Sequence, residues 1–200
     1  MPAIAFHDGE DVSDTDDRVL IYNVSWLQYE TMLGWRGDKS VPRYAYLRGT
    51  LEVRSPSRNH ERIKSFIGCI VEAYMLAAGV EFSPVGSWTL RDCEQECGIE
   101  PDECYIIGDQ DTWRPDLAIE VAMRRGGINK LEIYRELAIP EVWIVRDGAI
   151  TVYVLEGDAY THVACSQAFP KLDLVLVMKL VDEPSASRAM QKMTAWAVGA

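Results

Sequence analysis

Long apolar runs are missing from this sequence of 200 residues. No stretch reaches the roughly 18 unbroken apolar residues that a membrane-spanning helix requires, so no membrane partner is expected. The apolar residues 1–6 lack the basic start and the length of a secretory signal, and acidic residues follow them at once. We therefore expect the protein to be located in the cytoplasm.

A paired cysteine framework is also missing. The five cysteines are an odd number and lie scattered, at Cys69, Cys93, Cys97, Cys104 and Cys165. Cysteines of this kind in a cytosolic protein are most simply reduced. Three of them lie within twelve residues and suggest zinc, but neither His60 nor His162 stands near them in sequence to complete four ligands. The pattern favours structural cysteines.

Basic residues are few, with 20 Lys and Arg against 31 Asp and Glu and a net charge of −11. Such a balance is unfavourable for binding phosphate groups. The charge is segregated, however, because residues 1–17 carry six acids and no base, whereas residues 43–64 carry six bases and two acids. We expect residues 1–18 to form an acidic mobile tail. With no internal repeat or low-complexity linker, residues 19–200 are expected to form a single domain.

The hydrophobic pattern predicts a mixed α/β (α+β) fold. Ser25 and Gln28 have the spacing of a capping box, and Arg48-Gly49 is a turn between two extended runs. Apolar residues at three- and four-residue steps indicate one long amphipathic helix before residue 79. The predicted helices cover residues 26–33, 59–78, 128–137 and 187–198, and the predicted strands cover residues 43–47, 50–54, 80–90, 104–107, 117–121, 142–145, 150–155 and 160–165.

Two carboxylates stand where a buried strand should be apolar. Asp102 precedes an apolar strand, and Glu120 lies inside the most hydrophobic one. Burying such a group without a partner costs on the order of several kcal/mol, and a divalent cation or a lysine in the same cavity lowers that cost. Lys130 follows ten residues after Glu120. Two acids and a lysine suit hydrolysis of a phosphodiester, with the acids holding Mg²⁺ and the lysine offsetting charge on the phosphate. A buried salt bridge between Glu120 and Lys130 remains an open alternative.

Three further residues are candidates for accessory roles. Asp116 shares a strand face with Glu120 but stands roughly 13 Å away at about 3.3 Å per residue, so the two cannot chelate one ion. Glu52 is either an accessory acid or part of a solvated strand face paired with an arginine. His60, in the first turn of the long helix, either helps to position a phosphate or water or is satisfied by the backbone.

Six short blocks, taken in order, resemble a known family. They are GTLEVRSP at 49–56 with His60-Glu61, EPDECY at 100–105, PDLAIEV at 115–121, GGINKLEIY at 126–134, PEVW at 140–143 and Phe169-Pro170. With this spacing, residues 20–178 resemble the large bacterial family of predicted restriction endonucleases, formerly a domain of unknown function, within the PD-(D/E)XK nuclease superfamily.

The resemblance implies a restriction-endonuclease-like fold, in which helices flank a mixed β-sheet. It implies an endonuclease that hydrolyses DNA with Mg²⁺ or Mn²⁺. Asp102 matches the aspartate of the Pro-Asp pair, and Glu120 the acid of the (D/E)XK element. Ala122 stands where the superfamily pattern has lysine, and Lys130 is the matching position in the following helix. Nucleases of this type commonly form homodimers. The alternative is a weakly active or inactive module that binds nucleic acid or regulates.

Overall fold

A computed structural model describes residues 15–108, 112–123 and 126–199. These residues form two β-sheets and five helices. The helices are α1 (Trp26–Arg36), α2 (Arg58–Ala77), α3 (Lys130–Glu136), α4 (Leu174–Val181) and α5 (Ala186–Gly199). The strands are β1 (Asp17–Tyr22), β2 (Arg43–Leu47), β3 (Thr50–Ser55), β4 (Phe82–Pro84), β5 (Leu90–Asp92), β6 (Cys97–Ile99), β7 (Glu103–Ile107), β8 (Leu117–Val121), β9 (Glu141–Arg146), β10 (Ala149–Glu156) and β11 (Ala159–Val163).

The sheet that carries the candidate acids has the order β11-β10-β9-β8-β7-β4. Its pairs are antiparallel except for β8 and β9, which are parallel and are joined through α3. The other sheet has the order β1-β3-β2-β6-β5 and is antiparallel. Every residue of β8 is buried, as its apolar sequence predicts for a strand covered on both faces. The predicted mixed, restriction-endonuclease-like fold is confirmed.

Packing on the two faces of β8 explains this burial. On one side, α2, α4 and α5 pack their apolar residues against β8, β9 and β10 in the largest hydrophobic core. On the other side, α3 and strands of the smaller sheet form a second core with β8 and β9. None of the described helices combines the length and apolarity that a membrane crossing requires. The loop before α3 lies between the end of β8 and strand β3 of the smaller sheet, because Ile128 in this loop donates its backbone N–H to Glu52 and shares a cavity wall with Val121.

Local sequence signals place the elements that lead into the site. The Ser25 side chain and the Gln28 side chain form the predicted capping box, and the helix continues to Arg36 rather than ending at residue 33. The predicted hairpin is present, with Arg48 and Gly49 at the turn and β2 paired to β3. Ser57 caps the N-terminus of α2 and so sets the direction of its first turn.

Three parts of the fold were not predicted: strand β1, the β5–β6 hairpin and helix α4. The β5–β6 hairpin lies in a stretch of charged and small residues with little alternation, where a strand pattern is weak. Helix α4 has the sequence LVLVMKLV, in which almost every residue is apolar, so no period distinguishes a helix from a strand. Its start is set by Asp173, whose side chain accepts from the backbone N–H groups of Val175 and Leu176 at 2.9 and 3.1 Å.

The predicted boundary of the acidic tail at residue 18 is wrong. Strand β1 begins at Asp17 and pairs with β3 at the edge of the smaller sheet. Asp16 is buried, and its Oδ1 accepts from the backbone N–H of Ser57 at 2.8 Å. Asp16 is held in place because it accepts a hydrogen bond at the N-terminus of α2. Amino-acid composition does not reveal this interaction. The predicted tail from residue 1 to residue 14 lies outside the described residues.

Candidate active site

The fold brings Asp102 and Glu120 side by side. In the antiparallel pair of β7 and β8, Glu103 is opposite Ile119. One step further along this register places Asp102 opposite Glu120, with both side chains on the same face. Arg54 Nη2 lies 2.8 Å from Asp102 Oδ1 and 3.9 Å from Glu120 Oε2. A single cationic nitrogen therefore reaches both carboxylates.

Asp102 is completely buried and fully engaged. Its Oδ1 lies 3.1 Å from Arg43 Nη1, 2.8 Å from Arg54 Nη2 and 3.1 Å from His60 Nε2. Its Oδ2 accepts from the backbone N–H of Val121 at 2.8 Å. Burial alone raises the pKa of Asp102, but the charges of Arg54 and His60 outweigh it and hold that pKa well below its usual range. Asp102 is a permanent anion at the base of the site.

Two residues of α3 hold Glu120. Lys130 Nζ lies 2.5 Å from Glu120 Oε2, and the Tyr134 hydroxyl donates to Glu120 Oε1. Lys130 and Tyr134 are four residues apart, so they share one face of the helix. Burial raises the pKa of Tyr134 well above its usual value, and the charge of Glu120 adds to the shift, so the hydroxyl remains a donor. Sequence reasoning missed Tyr134, although its spacing from Lys130 was a usable signal.

His60 lies buried between two carboxylates. Its Nδ1 is 2.9 Å from Asp16 Oδ2, and its Nε2 is 3.1 Å from Asp102 Oδ1. Burial lowers the pKa of His60, but Asp102 and Asp16 outweigh it and raise that pKa above its ordinary value. The imidazole therefore faces Asp102 from beneath the site. Asp16, which the sequence analysis assigned to the tail, holds the imidazole in this position through its contact with His60 Nδ1.

Glu52 borders the site on the side of the smaller sheet. Its side chain is buried, which excludes the alternative of a solvated strand face, and Oε2 accepts from the backbone N–H of Ile128 at 3.1 Å. Gly127 has a φ of 97°, and a Cβ there would collide with Glu52 Oε2. Glycine is therefore required for the loop to pass this close to the carboxylate. Glu52 anchors the loop that leads into Lys130.

Asp116 is not brought into the site. It precedes β8 at the end opposite Glu120, and its Oδ2 accepts from the backbone N–H of Ile107 at 2.7 Å. Its own backbone N–H donates to Tyr105 at 2.9 Å. These bonds extend the pairing of β7 with β8. Asp116 thus stabilises the beginning of the strand that carries Glu120.

Arg43 and Arg54 were missed as members of the site, although the predicted hairpin contained a signal for them. A two-residue turn at Arg48 and Gly49 pairs Arg43 with Arg54 across the strands. Like charges that face each other across a sheet destabilise it unless an anion lies between them. Both guanidinium groups donate to Asp102 Oδ1, which supplies that anion.

A cavity of about 180 Å³ opens above this cluster. Its lining includes Glu52, Arg54, Glu120 and Lys130, together with the loop before α3. Asp102 lies underneath and does not line the cavity, because Arg54 covers it. The polar groups that converge on this space can hold a charged, oxygen-rich ligand such as a phosphate group.

The chemistry of Asp102 and Glu120 suits a divalent cation. Mg²⁺ and Mn²⁺ prefer carboxylate oxygens and commonly bind through one or two of them with water in the other positions. Among the described residues, no group of three or more histidine, cysteine or carboxylate side chains is arranged to hold a metal ion. Asp102 and Glu120 are candidate ligands on the chemistry of their carboxylate oxygens alone. Since Arg54 Nη2 stands within 4 Å of both, a cation shared by them has to take the place of this guanidinium.

Residues 26–182 match the family described as "Uma2: Putative restriction endonuclease". The chain belongs to this family. The Uma2 family lies within the PD-(D/E)XK superfamily, which confirms the resemblance seen in the sequence blocks. The matched residues of this Uma2 chain include Asp102, Glu120 and Lys130. A search of the curated proteins found no match.

Proposed function

We propose that this Uma2 chain is a Mg²⁺- or Mn²⁺-dependent endonuclease that hydrolyses DNA phosphodiester bonds. The single observation that carries the proposal is one cavity, where β7, β8 and α3 converge, whose wall includes Glu120 and Lys130 and beneath which Asp102 lies. Membership in a restriction endonuclease family supports the same reaction class. The accessory acid Glu52 lines the same cavity, and His60 supports Asp102 from below.

In the proposed reaction, each residue of the site has a role that follows from its position. Asp102 and Glu120 would hold the cation, which would supply Lewis acidity toward the phosphate and would lower the pKa of an attacking water. Lys130 places a positive charge at the cavity wall, where it offsets the negative charge that develops on the phosphate oxygens. Tyr134 fixes the direction of Glu120 through its hydroxyl. Burial of the cluster strengthens each of these electrostatic contacts.

The direct test of this function is nicking of supercoiled plasmid DNA by the purified protein. We expect nicking in millimolar Mg²⁺ or Mn²⁺ and none in EDTA, with mobility on a gel as the readout. Absence of nicking under every metal condition, by a protein shown to be folded, would contradict the proposal. A separate measurement of molecular mass by light scattering tests the homodimer that the family resemblance implies.

A Lys130→Met variant is expected to nick about 100-fold more slowly, because losing one preorganised charge at a reacting oxyanion typically costs 10²–10³ in rate. Lys130→Arg should recover part of the loss, since it restores the charge. The matched control is Arg48→Gln, which removes exposed ion pairs to Glu132 and Glu136 of the same helix. Equal rates for Lys130→Met and Arg48→Gln would overturn the role of Lys130 in the reaction.

A second candidate function is a nuclease-fold module with weak or no catalysis that binds nucleic acid or regulates. The observation that favours it is the pairing of both candidate ligands with cations of the chain itself. Asp102 is neutralised by Arg43 and Arg54, and Glu120 by Lys130. Binding of DNA without nicking under all metal conditions would support this alternative.

A further inference from the structure

A second cavity, of about 720 Å³, adjoins the first one. The two share Val121, Ala122, Met123 and Arg146 in their walls. The second cavity runs between the first turn of α2, the turn between β9 and β10, and helix α4. A chain-like ligand that enters the first cavity can therefore continue into the second without leaving the surface.

Three cationic side chains of the described residues line this second cavity. Arg62, Arg146 and Lys179 are exposed, and none has a carboxylate within 4 Å in the part of the chain that the structure describes. Arg62 donates to the backbone carbonyl of Val181 at 2.9 Å and lies over the Phe66 ring, 4.6 Å from its centroid. By contrast, Arg43, Arg54 and Lys130 in the site each have acid partners.

The contrast is informative because the chain is strongly acidic. In a chain with 31 acids and 20 bases, most exposed cations are expected to lie near an acid, so three described cations without a carboxylate within 4 Å along one cavity are unexpected. Asp147 and Asp182 also line the cavity, so its net lining charge is only weakly positive. Cations that line a groove next to a candidate site for phosphate chemistry suit the phosphates of a nucleic-acid strand.

We propose that this second cavity, the α2–α4 groove, carries the sugar-phosphate backbone of the DNA strand next to the scissile phosphate. Arg146 contacts the phosphate nearest the site, because it lines both cavities, and Arg62 and Lys179 contact those further along. Ile63, Leu174 and Met178 form an apolar wall that faces the sugars. Contacts of this kind read no base sequence, so the groove contributes affinity and register rather than specificity. The inference rests on the proposed function.

The test is DNA binding by the full chain in EDTA, measured by fluorescence anisotropy with a labelled 20-base-pair duplex over a range of salt concentrations. The double variant Arg146→Gln/Lys179→Gln should weaken binding at least about tenfold and lower the slope of log affinity against log salt by about 2. The loss of affinity should be similar for duplexes of unrelated sequence. The matched control is Lys171→Gln/Arg188→Gln, which removes two exposed cations that line neither cavity and should leave binding unchanged.

Equal effects of the two double variants, or no DNA binding by the wild type, would overturn the groove. The proposed function is tested separately by wild-type hydrolysis of bis(p-nitrophenyl) phosphate with Mn²⁺, since this small ester needs no groove. If the wild type does not hydrolyse this ester but its DNA binding depends on Arg146 and Lys179 as predicted, the proposed nuclease activity is wrong and the proposed role of the groove is still supported. The reverse result would refute only the groove.

Discussion

An Asp102→Asn variant is expected to nick DNA at least about 100-fold more slowly than the wild type, because it removes an anion that the cation site and the cationic cluster both require. The same variant should lose about 3–5 kcal/mol of unfolding free energy, the usual cost of removing one partner of a buried ion pair. Asparagine keeps the size of the side chain but presents N–H groups or a neutral oxygen to Arg43, Arg54 and His60.

Loss of activity and loss of stability have to be separated in this experiment. Nicking is therefore measured at low temperature, with the folded fraction determined by near-ultraviolet circular dichroism and urea unfolding. The rate per folded molecule is the quantity that the prediction concerns. If Asp102→Asn nicks at the wild-type rate per folded molecule, Asp102 has no part in the reaction.

A Glu141→Gln variant is expected to lose about 2–6 kcal/mol of unfolding free energy, although Glu141 lies outside the site, because two buried donors lose their acceptor at about 1–3 kcal/mol each. Its Oε1 accepts from Trp143 Nε1 at 2.6 Å and from the Ser166 hydroxyl at 2.5 Å. Its Oε2 accepts from the backbone N–H groups of Gln167 and Ala168 at 2.7 and 3.0 Å. Four buried or part-buried donors thus depend on one carboxylate, which joins β9 to the loop before α4.

Glutamine cannot replace this carboxylate, because its amide group presents donors where two of the four donors need an acceptor. The loss should appear as a lower urea midpoint with an unchanged slope. A Glu156→Gln variant, at an exposed position in β10, is the control and should change stability by less than about 0.5 kcal/mol. Equal midpoints for the two variants would show that the Glu141 bonds contribute nothing.

Asp102→Asn and Glu141→Gln also serve as controls for each other. Both remove the charge of a buried carboxylate that has four polar partners, and only Asp102 belongs to the proposed site. Glu141→Gln should therefore nick at the wild-type rate per folded molecule, while Asp102→Asn should not. An equal loss in both would mean that nicking responds to global stability rather than to the chemistry of the site.

Much of the fold followed from sequence signals that act over short distances. The hairpin of β2 and β3 is set by Arg48-Gly49, and α1 begins at the capping box of Ser25 and Gln28. Helix α4 has no comparable period, and its position depends on packing against α2 and α5. Asp16 escaped prediction because its burial depends on Ser57, which lies 41 residues away along the chain.

The candidate acids could be found from sequence because a charge inside an apolar strand is costly and requires a reason. Glu120 met that criterion inside an apolar strand and Asp102 met it directly before one, and the family blocks then supported both. Their surroundings could not be found in the same way. Arg43, Arg54 and His60 reach Asp102 from other elements, so their common position depends on how the two sheets meet.

We propose that Asp102 and Glu120 share one divalent-cation site and that Arg54, whose Nη2 lies within 4 Å of both carboxylates, competes with the cation for them. Titration with Mn²⁺, followed by electron paramagnetic resonance of the free ion, tests it most directly. The wild type should bind one ion in about the millimolar range. Arg54→Met should bind it at least about tenfold more tightly, because the competing charge is gone.

Adding Glu120→Gln to Arg54→Met should abolish this binding, because one of the two ligands is then neutral. Circular dichroism of each variant establishes that it is folded before the titration. If Arg54→Met/Glu120→Gln binds Mn²⁺ as tightly as Arg54→Met, the two acids do not share a cation and the account of the site is wrong.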